Sequence, residues 1–222
     1  MRLNSFQLKW IAIITMLLDH IGAILGGDNA GILRAIGRLA FPIFCFLLVE
    51  GFFHTRDVRR YILRLAVFAV VSEIPFELAF YREIMLPVQN VFFTLLIGIV
   101  LMYVLERNKN VVLQVVEIFI AMWGAHMLRS DYGYMGILLI VIFYYCYKHR
   151  AIGATLAAGW NFLFGIGSLQ NCGALASPLL ALYNGERGPK MKYFFYVFYP
   201  AHLLVLYALD LYMNGGPAFY VY

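Results

Sequence analysis

Charge is scarce in this chain: 13% of its 222 residues are Asp, Glu, Lys or Arg, against 63% hydrophobic ones. Apolar runs follow one another so closely that no water-soluble core could bury them all, which excludes a soluble globular protein and indicates a polytopic membrane protein. Long polar connections are missing as well, so residues 1–222 are expected to form a single membrane domain. Cysteine is rare and odd in number; Cys45, Cys146 and Cys172 lie in apolar surroundings without metal or redox spacing and are expected to pack. The histidines and carboxylates are too scattered for a metal-ligand motif, so no metal is expected. No basic patch interleaved with aromatics supports nucleic-acid binding, and the net charge of +5 is assigned to topology. Internal repeats, linkers and low-complexity segments are also absent. Arg2 before an apolar stretch looks like a secretory signal, but Asp19 and His20 interrupt it and no small-residue cleavage site follows. An uncleaved first helix is expected.

What the chain does have is helical periodicity. About nine transmembrane helices are predicted, over 8–26, 36–53, 61–80, 91–105, 111–128, 133–147, 151–167, 169–184 and 193–213, in an all-α bundle. Several fall short of the ~20 residues of a spanning helix. Alternate connections collect Arg2, Arg56, Arg59, Arg60, Arg107, Lys109, Lys148, Arg150, Arg187, Lys190 and Lys192, whereas Arg34, Arg82 and Arg129 fall in the others. By the positive-inside rule the N terminus is cytoplasmic, and for a bacterial chain the membrane is the inner one.

Against this apolar background the ionisable residues stand out. Asp19 and His20 lie within the first helix, where hydrocarbon makes charge expensive, and such residues are functional candidates by default. Lys9 precedes His20 by almost three whole turns and shares its helix face. Asp19 points about 100° away from His20, so it is expected to pair with another helix, with Arg38 the candidate. For His20 the competing role is an interhelical hydrogen bond that fastens the bundle.

Three prolines lie beside charge. Pro42 follows Arg38 and is expected inside the second helix; Pro75 stands between Glu73 and Glu77, which share a face; Pro200 precedes His202. Irregular backbone of this kind is expected where helices line a cavity. With the predicted topology, His20, Arg38, Glu73, Glu77 and His202 fall in the outer half of the bilayer. Lys9, Glu50, His54, Arg56, Arg59, Arg60 and Arg64 fall toward the cytoplasm. The outer layer suits acid–base chemistry and the inner layer suits an anion. The inner arginines have a plainer role as topogenic charge, except Arg64, whose place inside a helix calls for a partner or snorkelling. Glu50 and Glu117 are expected to pair with inner arginines.

The stretch from Leu8 to Gly22, containing Lys9-Trp10 and Asp19-His20-Ile21-Gly22, together with 37–51, 60–76 and Lys192 to Leu203 with Tyr199-Pro200-Ala201-His202, resembles the TraX proteins, named for the acetylation of conjugative F-type pilin. More distantly, Lys9 and His20 resemble the basic-x10-His pattern of transmembrane acyltransferases, and Arg56-x2-Arg59 fits their arginine motif, whereas Arg60-x3-Arg64 departs from it. The resemblance implies a membrane acetyltransferase that takes acetyl from cytoplasmic acetyl-CoA to an outer acceptor, a membrane-anchored pilin amine or an envelope glycan hydroxyl. In that reading Arg56, Arg59, Arg60 and Arg64, with Lys9, hold the CoA phosphates. His20 acts as general base or carries the acetyl group, Arg38 or His202 stabilises the oxyanion, and Glu73 orients His20. A proton-coupled transporter and a noncatalytic envelope assembly factor are the alternatives; the first uses buried Asp, Glu and His without consuming acetyl-CoA.

Overall fold

The structure, a computed structural model, describes residues 2–84, 88–189 and 192–214, and these are helical, with only isolated bridges of extended backbone. Its chain order is α1 (Ser5–Ile24), α2 (Ala30–Gly37), α3 (Ala40–His54), α4 (Val58–Tyr81), α5 (Val91–Leu105), α6 (Val111–Met127), α7 (Gly133–Tyr145) and α8 (Arg150–Phe164). A 3-10 segment (Leu169–Ala176), α9 (Ser177–Ala181) and α10 (Lys192–Asn214) follow. The helices group into two compact units. Unit 1 holds Met1–Phe44, Ile74–Met85 and Ala154–Tyr222; unit 2 holds Cys45–Glu73 and Leu86–Gly153.

Unit 1 begins with a reciprocal cap. Asn4 Oδ1 accepts from Gln7 N at 2.9 Å and Gln7 Oε1 accepts from Asn4 N at 3.0 Å, which starts α1 at Ser5. Gly26 and Gly27, at φ +67° and +92°, stop it and turn the chain into α2. The α1–α2 hairpin closes on two glycines. A Cβ on Gly37 would stand 2.2 Å from Asp19 Cβ, and one on Gly22 would stand 2.9 Å from the Ala30 carbonyl oxygen. The segment before α1 is tied to the chain after α9, with Leu3 N donating to Leu182 O and Asn184 N to Leu3 O, both at 2.8 Å.

Unit 2 packs α5, α6 and α7 around Leu101, Leu105, Ala125 and Ile137. Asn90 caps α5 through Phe92 N and Asn110 caps α6 through Val112 N. The outer face of α6 is apolar and bare: Val112 is 71% and Trp123 65% exposed. A surface of that kind suits lipid rather than water.

Among the described residues, three helical stretches are long and apolar enough to cross a membrane: Ser5–Ile24, Ala30–His54 and Tyr193–Asn214. Helices α5, α6 and α7 are apolar but shorter. Two segments differ from expectation. The predicted second helix is broken at Arg38 and Leu39 and restarts at Ala40, so Pro42 sits in the first turn of α3, where its missing N–H removes no helical bond. The stretch predicted as a helix over 169–184 is a 3-10 segment followed by the five residues of α9. There the chain folds back so tightly that a Cβ on Gly165 would meet Asn171 N at 2.2 Å.

Candidate functional site

The neighbours Asp19 and His20 face different helices, as their 100° offset requires. His20 points to α10. Its Nδ1 lies 2.7 Å from Nε2 of His202, and the two rings are within 4° of parallel with centroids 4.9 Å apart, so the bond runs edge to edge. His202 Nδ1 is in turn 2.7 Å from the Phe198 carbonyl oxygen. A carbonyl oxygen only accepts, so His202 carries its proton on Nδ1, and in the neutral pair its Nε2 accepts from His20 Nδ1–H. By elimination the lone pair of His20 is on Nε2, which has no hydrogen-bond partner among the described residues. Both rings are buried, at 8% and 6% exposure, with Phe80 and Tyr199 edge-on to His20 at 5.3 and 6.0 Å. A helix carbonyl thus fixes one histidine, which fixes the other, and the chain of bonds ends in a basic nitrogen.

Asp19 points to α2. Arg38 Nη2 donates to both of its carboxylate oxygens at 2.6 Å, the pairing expected from sequence. Gly37 makes this approach possible, because any side chain there would overlap Asp19. His20, His202, Asp19 and Arg38 therefore all belong to unit 1. At its far end α10 is joined to the chain after α4 by an ion pair between Arg82 and the buried Asp210, with Asn214 Nδ2 donating to Asp210 Oδ1 at 2.7 Å.

Glu73, expected to orient His20, has a different partner. Within unit 2 its carboxylate accepts from Asn90 Nδ2, which also donates to the Ala69 carbonyl oxygen at 2.8 Å, and from Asn90 N at 3.3 Å. The residue that caps α5 thus holds Glu73, and the side chain that bonds His20 is His202. The inner arginines also belong to unit 2. Arg56, Arg59 and Arg60 are exposed. Arg59 Nε donates to Tyr103 Oη at 3.0 Å, and Arg60 pairs with Asp57 at 3.0 Å while its backbone N–H bonds the same carboxylate. Arg64 lies over the Tyr61 ring at 5.5 Å, with a buried Nε that has no hydrogen-bond partner among the described residues. Lys9 is in unit 1, its Nζ 5.5 Å from the Phe195 ring centroid.

Glu50 is buried and bonded to Arg150 through Nε at 2.9 Å and Nη2 at 3.3 Å, the inner ion pair expected for it. Among the described residues no group of three or more His, Cys, Asp or Glu could hold a metal ion. Sequence reasoning missed Asp210, which had no marked neighbour, and Arg34, which it left in a connection although the i, i+4 spacing to Arg38 is helical.

A family model described as TraX protein matches residues 5–210. A probable fimbrial assembly protein FimC, serogroup H1, of Dichelobacter nodosus is 31% identical over 240 residues, 95% of this chain and 97% of its own. An uncharacterised protein of Rickettsia prowazekii (strain Madrid E) is 25% identical over 139 residues, 61% of this chain and 52% of that one. No solved structure gives a significant match.

Proposed function

The chain belongs to the TraX family, and from that premise we propose that it is an integral membrane acetyltransferase acting in fimbrial assembly. It moves acetyl from cytoplasmic acetyl-CoA to an acceptor on the outer side of the inner membrane. The preferred acceptor is the amine of a membrane-anchored pilin, since the relative from Dichelobacter nodosus bears a fimbrial assembly name; an envelope glycan hydroxyl is the other. The observation that carries the reading is the bond from His20 to His202, which leaves a basic nitrogen inside an apolar unit.

The CoA phosphates are held by Arg56, Arg59, Arg60 and Arg64. Arginine presents fork geometry to phosphate oxygens, and the three exposed guanidinium groups are reachable from the aqueous side. The acceptor amine attacks the thioester carbonyl carbon while His20 Nε2 removes its proton; a positioned base contributes about 10²- to 10⁴-fold. Collapse of the tetrahedral intermediate breaks the C–S bond, and the proton on Nε2 passes to the departing thiolate, so His20 ends neutral. His202 keeps His20 in the required tautomer and, sharing the proton between the rings, spreads the charge that His20 gains. Arg38, fixed by Asp19, supplies positive charge for the developing oxyanion.

The test is stoichiometry in purified, detergent-solubilised protein. The reading predicts one free CoA thiol released per acceptor amine acetylated. CoA binding without release, or no CoA binding at all, would favour a noncatalytic assembly factor or a transporter.

A further inference from the structure

At the foot of unit 1, where α1 and α10 both begin, two cations stand together without an acid to pair them. The turn from Asn184 to Gly188 is bound to the first turn of α1: Ser5 N donates to the Glu186 carbonyl oxygen at 2.8 Å, and a Cβ on Gly188 would stand 2.8 Å from Phe6 Cβ. Arg187 lies between those two contacts, and Lys9, one turn further along α1, is within its electrostatic reach. Among the described residues neither makes an ion pair. Glu186, the acid next to Arg187 in the chain, accepts instead from Asn184, whose Nδ2 is 2.9 Å from Oε2. The Lys9 stem is half-buried against α10, its Nζ 5.5 Å from the Phe195 ring centroid, so its charge is held at this spot. Two like charges held close repel one another, and an anion between them removes that cost.

An apolar surface continues from these cations along both helices. Trp10 packs on Phe194 of α10 with ring centroids 5.4 Å apart. Ile14 follows Trp10 by four residues and Val197 follows Phe194 by three, so each pair shares a helix face, and Ile14 is 52% and Val197 53% exposed. We propose that this foot of unit 1 binds an anionic phospholipid, its headgroup phosphate between Lys9 and Arg187 and its acyl chain along Trp10, Ile14, Phe194 and Val197. The place suits a headgroup: α1 and α10 are both long and apolar enough to cross a membrane, and they start here side by side with aromatic rings at the level of the interface. Basic pockets between membrane helices take anionic lipid headgroups in this way. A phosphate of acetyl-CoA would meet the same cations, but the bare hydrocarbon beyond them suits an acyl chain rather than the amide-bearing arm of CoA. The lipid braces the two helices that carry His20 and His202. The proposal rests on the membrane placement of α1 and α10 and does not require acyl transfer.

Trp10 reports on the site directly. The chain has three tryptophans, and Trp123→Phe with Trp160→Phe leaves Trp10 as the fluorophore in the full-length protein. In phosphatidylcholine nanodiscs this protein is titrated with phosphatidylglycerol or phosphatidylcholine carrying bromine on the acyl chains, which quenches a tryptophan in contact. Half-maximal quenching is expected at a mole fraction of brominated phosphatidylglycerol roughly ten-fold or more below that of brominated phosphatidylcholine, the scale of two cations at one headgroup. Arg187→Gln, a change in an exposed turn, should narrow the preference by about five-fold, and Lys9→Gln with Arg187→Gln should abolish it, while Lys9→Arg keeps it. Thermal melting separates these losses from misfolding, and if the double variant does not fold the single one decides. Equal quenching by the two lipids, or a preference that survives removal of the cations, overturns the proposal. So does relief of phosphatidylglycerol quenching by coenzyme A added to the water, which would assign the cations to a soluble phosphate. Quenching by neither lipid overturns it too and, unlike equal quenching, takes the membrane placement of α1 with it.

Discussion

The best-bonded buried polar groups of the two units differ in kind: ion pairs and a helix cap in one, a pair of histidines in the other. In unit 2 Glu50 is clasped by Arg150 through two nitrogens, and one oxygen of Glu73, Oε2, takes both the side chain and the backbone N–H of Asn90. In unit 1 Arg38 likewise bonds both oxygens of Asp19, but the histidine chain starts at the Phe198 carbonyl and ends at a nitrogen with no hydrogen-bond partner among the described residues. A closed network fastens helices, whereas an open-ended one can exchange a proton with a third molecule. Burial alone, which both units share, does not distinguish structure from chemistry.

The sharpest way to break this comparison is to remove the open end. His20→Ala is expected to lower acetyl transfer by about 10²-fold or more while the melting temperature in detergent changes little. Removing the residue behind it should do less. His202→Ala leaves His20 free to choose either tautomer, and kcat should fall on the order of ten-fold with KM for acetyl-CoA unchanged, a split that steady-state kinetics resolves. On the unit 2 side the order of effects reverses: Glu50→Ala strands Arg150, and a loss of roughly 1–3 kcal/mol of stability is expected, between the exposed and buried limits for ion pairs, with kcat kept in the protein that remains folded.

The smallest effects compare glycines. Gly37→Ala would force a methyl onto Asp19 Cβ and its backbone Cα, at 2.2 and 2.7 Å, and should cost ~1–3 kcal/mol and displace the ion pair. Gly98→Ala in unit 2 meets the far end of the flexible Ile140 side chain, its Cδ1 at 2.3 Å, and a cost under about 1 kcal/mol is expected because that end can rotate away. Equal losses at the two positions would mean that the α1–α2 contact is not the rigid one.

Helices with local signals could be read from the sequence almost to the residue. Val91–Leu105 begins after Asn90 and Val111–Met127 after Asn110, and both asparagines cap as their type predicts. The break at Arg38 and Leu39 was not legible, because hydropathy continues across it and the cause is tertiary: Asp19 draws Arg38 in over Gly37. The segment 169–184 looked helical for the same reason, and its 3-10 geometry comes from a close fold-back at Gly165. At the candidate site, helix periodicity was enough to separate Asp19 from His20 and to suggest Arg38 for the acid. It could not say which of several outer polar residues meets His20, since that depends on how helices distant in the chain pack. Glu73 is bonded by Asn90, the cap of the next helix, and His20 is bonded by His202, far away in the chain.

The most direct measurement follows radiolabelled acetyl from acetyl-CoA in the purified, detergent-solubilised chain supplied with a peptide amine, comparing wild type with well-folded His20→Ala and Glu50→Gln variants. Labelled peptide from wild type and Glu50→Gln but not from His20→Ala is the predicted result. Equal labelling by His20→Ala and wild type, or no labelling by any of them, would contradict a transferase built on the open-ended histidine pair.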